Sequence, residues 1–123
     1  KVELEGLDFK NVKDKGLSVG EASQISIANS DLKNVGVGIA VKDGSTAIVE
    51  STKISDYVLY AGMTYSKKKH YDVFSSLELR DCTVEGESPF LRQKNTLLTL
   101  DGVEILGRDV DVESLYSAGV MRK

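Results

Sequence analysis

The segment Ile25-Ser-Ile-Ala-Asn-Ser-Asp-Leu-Lys-Asn34 carries the pattern from which the fold is predicted, because this pattern occurs five times along the 123 residues. The pattern consists of two apolar residues spaced by two, a small or polar corner, another apolar residue and then Asn or Gly. The other copies begin at Val2, Ala47, Leu77 and Leu98, so successive copies are offset by 23, 22, 30 and 21 residues. A regular offset of this kind indicates an array of repeats.

The repeat has the alternation that is typical of β-strands. Apolar-polar-apolar triplets rich in Val, Ile and Leu bury one face of a pleated segment. Each copy holds two such segments, and a third follows, as at residues 16–19 and 37–41. We therefore predict an all-β fold, a right-handed single-stranded parallel β-helix of about five coils with three short strands per coil. Residues 1–123 would form one domain, expected to be a fragment of a longer protein.

Stacked coils would place like residues in inward columns. Asn11 and Asn34 share a corner, where Asn tolerates a left-handed backbone. Cys82 lies at another corner and is expected to be a small buried residue. The predicted columns are Val2/Ile25/Ala47/Leu77/Leu98, Leu4/Ile27/Val49/Leu79/Leu100, Phe9/Leu32/Ile54/Val84/Ile105 and, for the third strand, Leu17/Ile39/Ala61/Leu91/Val112.

Two further segments, Asp14-Lys-Gly-Leu-Ser-Val-Gly-Glu21 and Gly38-Ile-Ala-Val-Lys-Asp43, are each followed by a β-strand repeat. They resemble the parallel β-helix repeats of the pectin-lyase-like superfamily. More loosely, they resemble repeat regions of secreted bacterial proteins that carry a spore-coat-H-like kinase domain. The resemblance implies a secreted or cell-surface location and a role related to carbohydrate, and it assigns no active residue.

Pectate-lyase-like enzymes bind calcium through clustered Asp and Glu, with an Arg or Lys nearby as base. By that resemblance Glu50, Arg80 and Asp101, on adjacent coils, are candidate catalytic residues. The residue types themselves favour a structural role, in which opposite charges on adjacent coils form pairs that fix the register. A calcium ion normally takes six to eight oxygen ligands, and a cation such as Arg80 would not lie among them. Asp8 and Asp31 also stack and offer a weak cation site as an alternative to plain solvation. We therefore predict no catalytic residue and no metal, with calcium as the alternative.

Other site chemistries lack their sequence signatures. One Cys and one His cannot form an ordinary zinc site. The chain has no Gly-x-Ser-x-Gly elbow, phosphate loop or dinucleotide fingerprint. The sequence thus favours a protein that is not an enzyme and that needs no cofactor.

The offset of 30 residues between the third and fourth copies leaves about eight extra residues around 64–72. An insertion in a repeat array leaves the stack as a surface loop, and such loops commonly bind ligands. Aromatic faces and cations suit an acidic polysaccharide. The alternative is a solvated hairpin whose Tyr side chains cover the edge of the core. The candidate ligand-binding residues are Tyr65, Lys67, Lys68, Lys69, His70 and Tyr71.

Composition limits the partners. Sixteen basic and nineteen acidic residues give a net charge of −3, which argues against general binding of nucleic acid. No apolar stretch approaches the roughly 20 residues of a membrane-spanning helix. The first coil begins at Val2 without a cap, so we expect either further coils upstream or an end-to-end homo-oligomer.

These observations predict a non-catalytic β-helix module of a larger secreted or cell-surface bacterial protein. It would serve as a structural spacer or as a surface that binds carbohydrate or a protein partner. The alternatives are a fragment of a polysaccharide lyase or glycoside hydrolase, and an assembly protein such as a fibre or tailspike segment.

Overall fold

The computed structural model describes residues 2–66 and 74–117. Of these residues, 62% lie in β-strands. In chain order the elements are β1 Val2–Glu5, β2 Asp8–Val19, β3 Gln24–Ala28, β4 Asp31–Lys42, β5 Thr46–Glu50, β6 Lys53–Ser55, β7 Tyr60–Tyr65, β8 Ser76–Arg80, β9 Thr83–Glu85, β10 Phe90–Gln93, β11 Leu97–Leu100, β12 Val103–Glu104, β13 Gly107–Arg108 and α1 Val112–Ser117.

One sheet contains six strands in the order β1-β3-β5-β8-β11-β12. Its first five strands are parallel, and β12 is antiparallel to β11. The register confirms the first two predicted columns, because equivalent residues of successive repeats lie opposite each other. The observed rows are Val2, Ile25, Ala47, Leu77, Leu98 and Leu4, Ile27, Val49, Leu79, Leu100.

The second sheet contains seven parallel strands around β4. β4 pairs with β2 along most of its length, with β6 over residues 31–33 and with β7 over residues 37–42. β9 extends the β6 side, while β10 and β13 extend the β7 side. Phe9, Leu32, Ile54 and Val84 lie in one row, as predicted for the third column.

The predicted β-helix with three short strands per coil is wrong. The chain forms multi-stranded sheets, one parallel and one mixed, of which one is curled into a half-barrel, and not a solenoid. The second and third predicted strands of the first two repeats are continuous in β2 and β4, which are 12 residues long each. Those repeats therefore contribute two strands and not three.

The predicted corner at Asn11 and Asn34 explains this difference. Both residues adopt positive φ, 60° and 55°, as expected for Asn at a bend. The Asn34 Nδ2 group donates to Asn11 Oδ1 at 2.6 Å. However, pairing resumes at once with Val12 opposite Val35, and the register shifts only after that pair. The backbone thus bends within one strand without ending it.

The fifth repeat also departs from the prediction. Asp101 and Gly102 both have positive φ and turn the chain back, so that β12 pairs antiparallel with β11. Ile105 consequently lies outside the row formed by Val84, although it still packs on the core. The third-strand column is confirmed for Leu17 and Ile39, which lie opposite each other. It is wrong beyond them, because Ile39 lies opposite Gly62 and not Ala61. Val112, expected in a strand, begins α1.

The main core receives side chains from both sheets. Residues of the inner strands are fully or almost fully buried, whereas Leu4 and Phe9 at one end and Leu100 and Ile105 at the other are only partly buried. Burying one such aliphatic side chain is worth about 1.5–3 kcal/mol. The buried residues of the main core are Val19, Ile27, Leu32, Ile39, Val41, Ala47, Val49, Ile54, Ala61, Leu77, Leu79 and Leu98.

A second apolar cluster joins α1 to the seven-stranded sheet. Tyr116 of the helix packs with Val37, Ala40, Met63 and Leu91 of that sheet. The helix begins after Asp111, whose carboxylate accepts hydrogen bonds from the Ser114 N–H at 3.2 Å and from the Ser114 hydroxyl at 2.7 Å. These bonds lower the Asp111 pKa and stabilise the first turn. The described part of the chain contains no helix with the length and apolarity needed to cross a membrane.

Candidate functional site

The inserted segment lies between β7 and β8. Thr46 of β5 pairs with Ser76 of β8, an offset of 30 residues, whereas Gln24 pairs with Thr46 across 22. The extra residues therefore lie in sequence between the end of β7 and the start of β8, in the place that the long offset predicts. The predicted ligand-binding residues Lys67, Lys68, Lys69, His70 and Tyr71 lie outside the described residues.

Tyr65, the remaining predicted ligand-binding residue, is fully buried at the end of β7. Its hydroxyl lies 2.7 Å from the Tyr116 hydroxyl, and the two rings pack edge to face with centroids 6.3 Å apart. The ring of Tyr65 is therefore enclosed by the protein. It fixes the start of the inserted segment to α1.

Both ends of the segment are held by the scaffold. At the first end, the Ser66 N–H donates to Gln93 Oε1 at 2.6 Å. At the second end, Ser75 is fully buried and its hydroxyl accepts a hydrogen bond from the Gly44 N–H at 3.2 Å. The segment therefore begins and ends at residues that are hydrogen-bonded to the scaffold.

Charged side chains surround the Tyr65–Tyr116 pair. Lys15 Nζ lies 3.0 Å from Asp14 Oδ1 and 5.4 Å from the centre of the Tyr116 ring, a cation–π arrangement. Asp43 is fully buried nearby. Burial raises the pKa of Tyr65 strongly, and its hydrogen bond to Tyr116 and the charges of Asp43 and Asp14 raise it further. Tyr65 is therefore neutral in the folded protein at every ordinary pH.

This raised pKa predicts a loss of stability in alkali. Above pH of about 10, Tyr65 ionises in the unfolded chain but keeps its proton in the folded protein. The free energy of unfolding should therefore fall by up to about 1.4 kcal/mol for each further pH unit. Tyr65→Phe should flatten this fall, as measured by urea unfolding between pH 9 and about 11. An unchanged slope in the variant would contradict the assignment.

The structure brings Glu50 and Arg80 together, as the sequence predicts. Arg80 Nη1 lies 3.4 Å from Glu50 Oε1, and its Nη2 lies 2.9 Å from Glu78 Oε1. The Asp101 carboxylate instead accepts the Asp81 N–H at 2.8 Å. Hydrogen bonding and charge from Glu78, with a smaller effect of Glu50, raise the Arg80 pKa. Arg80 therefore remains protonated and is unsuited to act as a base.

Asp8 and Asp31 lie opposite each other in β2 and β4, as predicted. Asp8 pairs with Lys10 at 3.6 Å, and one carboxylate oxygen of Asp31 is buried without a hydrogen-bond partner. The two residues share a shallow surface cavity with Lys53. Within residues 2–66 and 74–117, no three His, Cys, Asp or Glu side chains are grouped to hold a metal ion.

Cys82 occupies the predicted corner and is half-buried. Its sulfur lies 3.4 Å from the Arg80 carbonyl oxygen and 3.5 Å from that of Val49. Burial raises the pKa of the thiol, so little thiolate is present at neutral pH. This arrangement suits a packing residue better than a nucleophile.

Comparison with protein-family models, with curated proteins and with solved structures gives no match. The resemblance to the pectin-lyase-like superfamily is wrong, because its β-helix is not the observed fold and no family model matches. The looser resemblance to repeat regions of secreted bacterial proteins with a spore-coat-H-like kinase domain is wrong for the same reason. Location and carbohydrate binding, which that resemblance implied, therefore have no support from a relative.

Proposed function

We propose that this protein is a non-catalytic module of a larger secreted or cell-surface bacterial protein and that its inserted segment binds an acidic polysaccharide. The observation that carries the proposal is the anchoring of both ends of the segment, through Tyr65–Tyr116 at one end and Ser75 at the other. Anchored ends lower the conformational entropy that a loop loses on binding. Three consecutive Lys residues, 67–69, lie between these anchors.

Basic residues of the scaffold lie near the start of the segment. Lys42 lies opposite Tyr65 in the pairing of β4 with β7, and Arg92 lies opposite Thr64 in the pairing of β7 with β10. Arg108, at the end of β13, reaches the Tyr60 hydroxyl at 3.3 Å. The Arg92 guanidinium is already bound to the Thr96 and Ile105 carbonyl oxygens, and Arg108 reaches toward the first residue of β7. An anionic polymer that contacts Lys67–Lys69 would therefore meet the further positive charge of Lys42, although the protein as a whole carries a net charge of −3.

The exposed charges on the strands are engaged in ion pairs with each other. Arg80 forms ion pairs with two carboxylates and stays protonated. Asp8 and Lys53 each have a partner of opposite charge, Lys10 and Glu85. Such pairs on exposed strands help to fix register.

Neutralising the three Lys residues should weaken binding of polygalacturonate about tenfold, because three exposed charge contacts at about 0.5 kcal/mol each sum to that factor. The variant carries Lys67→Gln, Lys68→Gln and Lys69→Gln, and affinity is measured by isothermal titration calorimetry at low salt. Binding by the unaltered protein should also weaken as salt is added, since the contacts are exposed.

A matched control carries Lys13→Gln, Lys33→Gln and Lys53→Gln, which remove the same charge from exposed positions of β2, β4 and β6. This control should bind like the unaltered protein. Equal losses in the two triple variants would show a general charge effect and would overturn the assignment to the inserted segment. Absence of binding to both polygalacturonate and heparin would overturn the proposed function itself.

A further inference from the structure

Phe74 presents an aromatic ring to solvent at the point where the inserted segment rejoins the scaffold. Its exposed fraction is 65%. Every other aromatic side chain within residues 2–66 and 74–117 is buried or half-buried. A single exposed apolar residue is common on a protein surface. Three features of its surroundings distinguish Phe74 as part of a binding site.

The first feature is the backbone directly after Phe74, which is hydrogen-bonded to both sheets. The Ser75 side chain is fully buried, and its hydroxyl accepts the Gly44 N–H at 3.2 Å and donates to the Tyr65 carbonyl at 3.4 Å. The Ser75 carbonyl accepts the Leu97 N–H at 2.9 Å. The scaffold therefore determines where the Phe74 ring lies.

The second feature is the direction of the ring. Ser75 and Leu77 are fully buried, whereas Ser76 is half-buried and Phe74 is exposed. Successive side chains of an extended segment point to opposite faces. Phe74 therefore lies on the outer face of the six-stranded sheet, on the same side as Ser76.

The third feature is a row of polar side chains on this outer face. Ser76 lies opposite Thr46 of β5 on one side and opposite Leu97 of β11 on the other. Thr46 in turn lies opposite Gln24 of β3. Within the described part of the chain, no hydrogen bond occupies the side chains of Ser76, Thr46 or Gln24. Two hydroxyls and one amide are therefore available to a ligand beside Phe74.

We propose that Phe74 is a stacking platform for one sugar ring of the bound polysaccharide, and that Ser76, Thr46 and Gln24 bind its hydroxyl groups. This inference rests on the proposed function and names the part of the ligand that the site recognises. The C–H face of a sugar ring is apolar and can cover an aromatic ring, while the hydroxyl groups at its rim need polar partners.

The platform and the Lys residues have different roles in this site. Lys67–Lys69 precede Phe74 in the inserted segment and attract the negative charge of the polymer. Charge alone does not distinguish a sugar polymer from another polyanion. Phe74 makes that distinction, because only a ligand with a sugar ring can stack on it.

Phe74→Trp provides a direct test, because the chain contains no Trp and the variant has a single indole. Its emission should shift to shorter wavelength as polygalacturonate is added, since a stacked sugar removes water from the indole face. Val58→Trp is the matched control: Val58 is also 65% exposed but precedes the start of β7, whereas the inserted segment follows its end. Its emission should not shift. A shift in both variants or in neither would overturn the platform.

Phe74→Leu tests specificity, because Leu keeps an apolar side chain but has no flat ring. In calorimetry at low salt, its dissociation constant for polygalacturonate should rise about tenfold. The constant for polyphosphate, which carries charge but no sugar, should change less than about twofold. Thr46→Val removes one hydroxyl with little change of shape and should raise the polygalacturonate constant about threefold. Equal losses of Phe74→Leu for the two polymers would overturn the platform.

The same measurements separate this inference from the proposed function. If the unaltered chain binds polygalacturonate and Phe74→Leu binds it equally well, the platform is wrong and the proposed function stands. If the unaltered chain binds neither polygalacturonate nor heparin, both are wrong. The melting temperature of Phe74→Leu should equal that of the unaltered chain, because the side chain is exposed. A lower melting temperature would show that Phe74 packs on the scaffold and would overturn the platform.

Discussion

Gly38→Ala is expected to lower the free energy of unfolding by about 3 kcal/mol or to prevent folding, because this position in β4 has no room for a side chain. A Cβ at Gly38 would overlap the Ala61 carbonyl oxygen and would lie 2.9 Å from Ile54 Cγ2. Ala61 and Ile54 are both fully buried. The overlap involves a backbone atom of a paired strand, so no rotation of a side chain can relieve it.

Urea unfolding followed by circular dichroism measures the loss. Gly20→Ala is the control, since a Cβ there meets only the Lys42 side chain, with Cε at 3.0 Å as the nearest atom. Lys42 can move away, so the control should change stability by less than about 1 kcal/mol. If the two variants lost similar amounts of unfolding free energy, the predicted overlap between a Cβ at position 38 and the Ala61 carbonyl oxygen would be contradicted.

The sequence was sufficient to predict the pairing of the first five strands of the six-stranded sheet, because alternation at period two specifies which residues of successive repeats face the core. Leu4, Ile27 and Val49 lie in one row for this reason. A slip by one residue would turn every apolar side chain outward. The apolar alternation within each strand therefore determines the register between strands in this part of the chain.

The sequence did not show where strands end. Asn11 and Asn34 predict positive φ, which the structure confirms. Whether backbone pairing stops at such a bend depends on the neighbouring strand, and here Val12 and Val35 pair immediately after it. The error of the β-helix prediction arises at this point, since two short strands were expected where one long strand exists.

The hairpin of β11 and β12 did have a sequence signal. Asp101-Gly102 is a dipeptide typical of tight β-hairpins, and it lies between two apolar segments. The regularity of the preceding repeats led to a prediction of parallel stacking instead. Turn chemistry determined the structure of this segment, and β12 pairs antiparallel.

The candidate site was predicted in position but not in detail. The long offset between repeats located the inserted segment, because extra residues cannot remain within paired strands. The role of Tyr65 could not be predicted, since its partner Tyr116 belongs to α1, outside the repeat pattern. A six-residue helix has too few residues for periodicity to reveal it.

Leu79→Ala should lower the free energy of unfolding by about 3 kcal/mol, and Leu100→Ala by only about 1 kcal/mol. The two residues are of one type, lie opposite each other in β8 and β11, and differ in depth: Leu79 is fully buried and Leu100 is partly exposed. A cavity at Leu79 is enclosed by strands on both sides. Equal losses of the two variants in urea unfolding would contradict the difference in burial between Leu79 and Leu100.

Leu4 lies in the same row, in β1, and is also only partly buried. Leu4→Ala should therefore lower the free energy of unfolding by about as much as Leu100→Ala in the same urea unfolding. A loss as large as that of Leu79→Ala would contradict this difference in burial along the row.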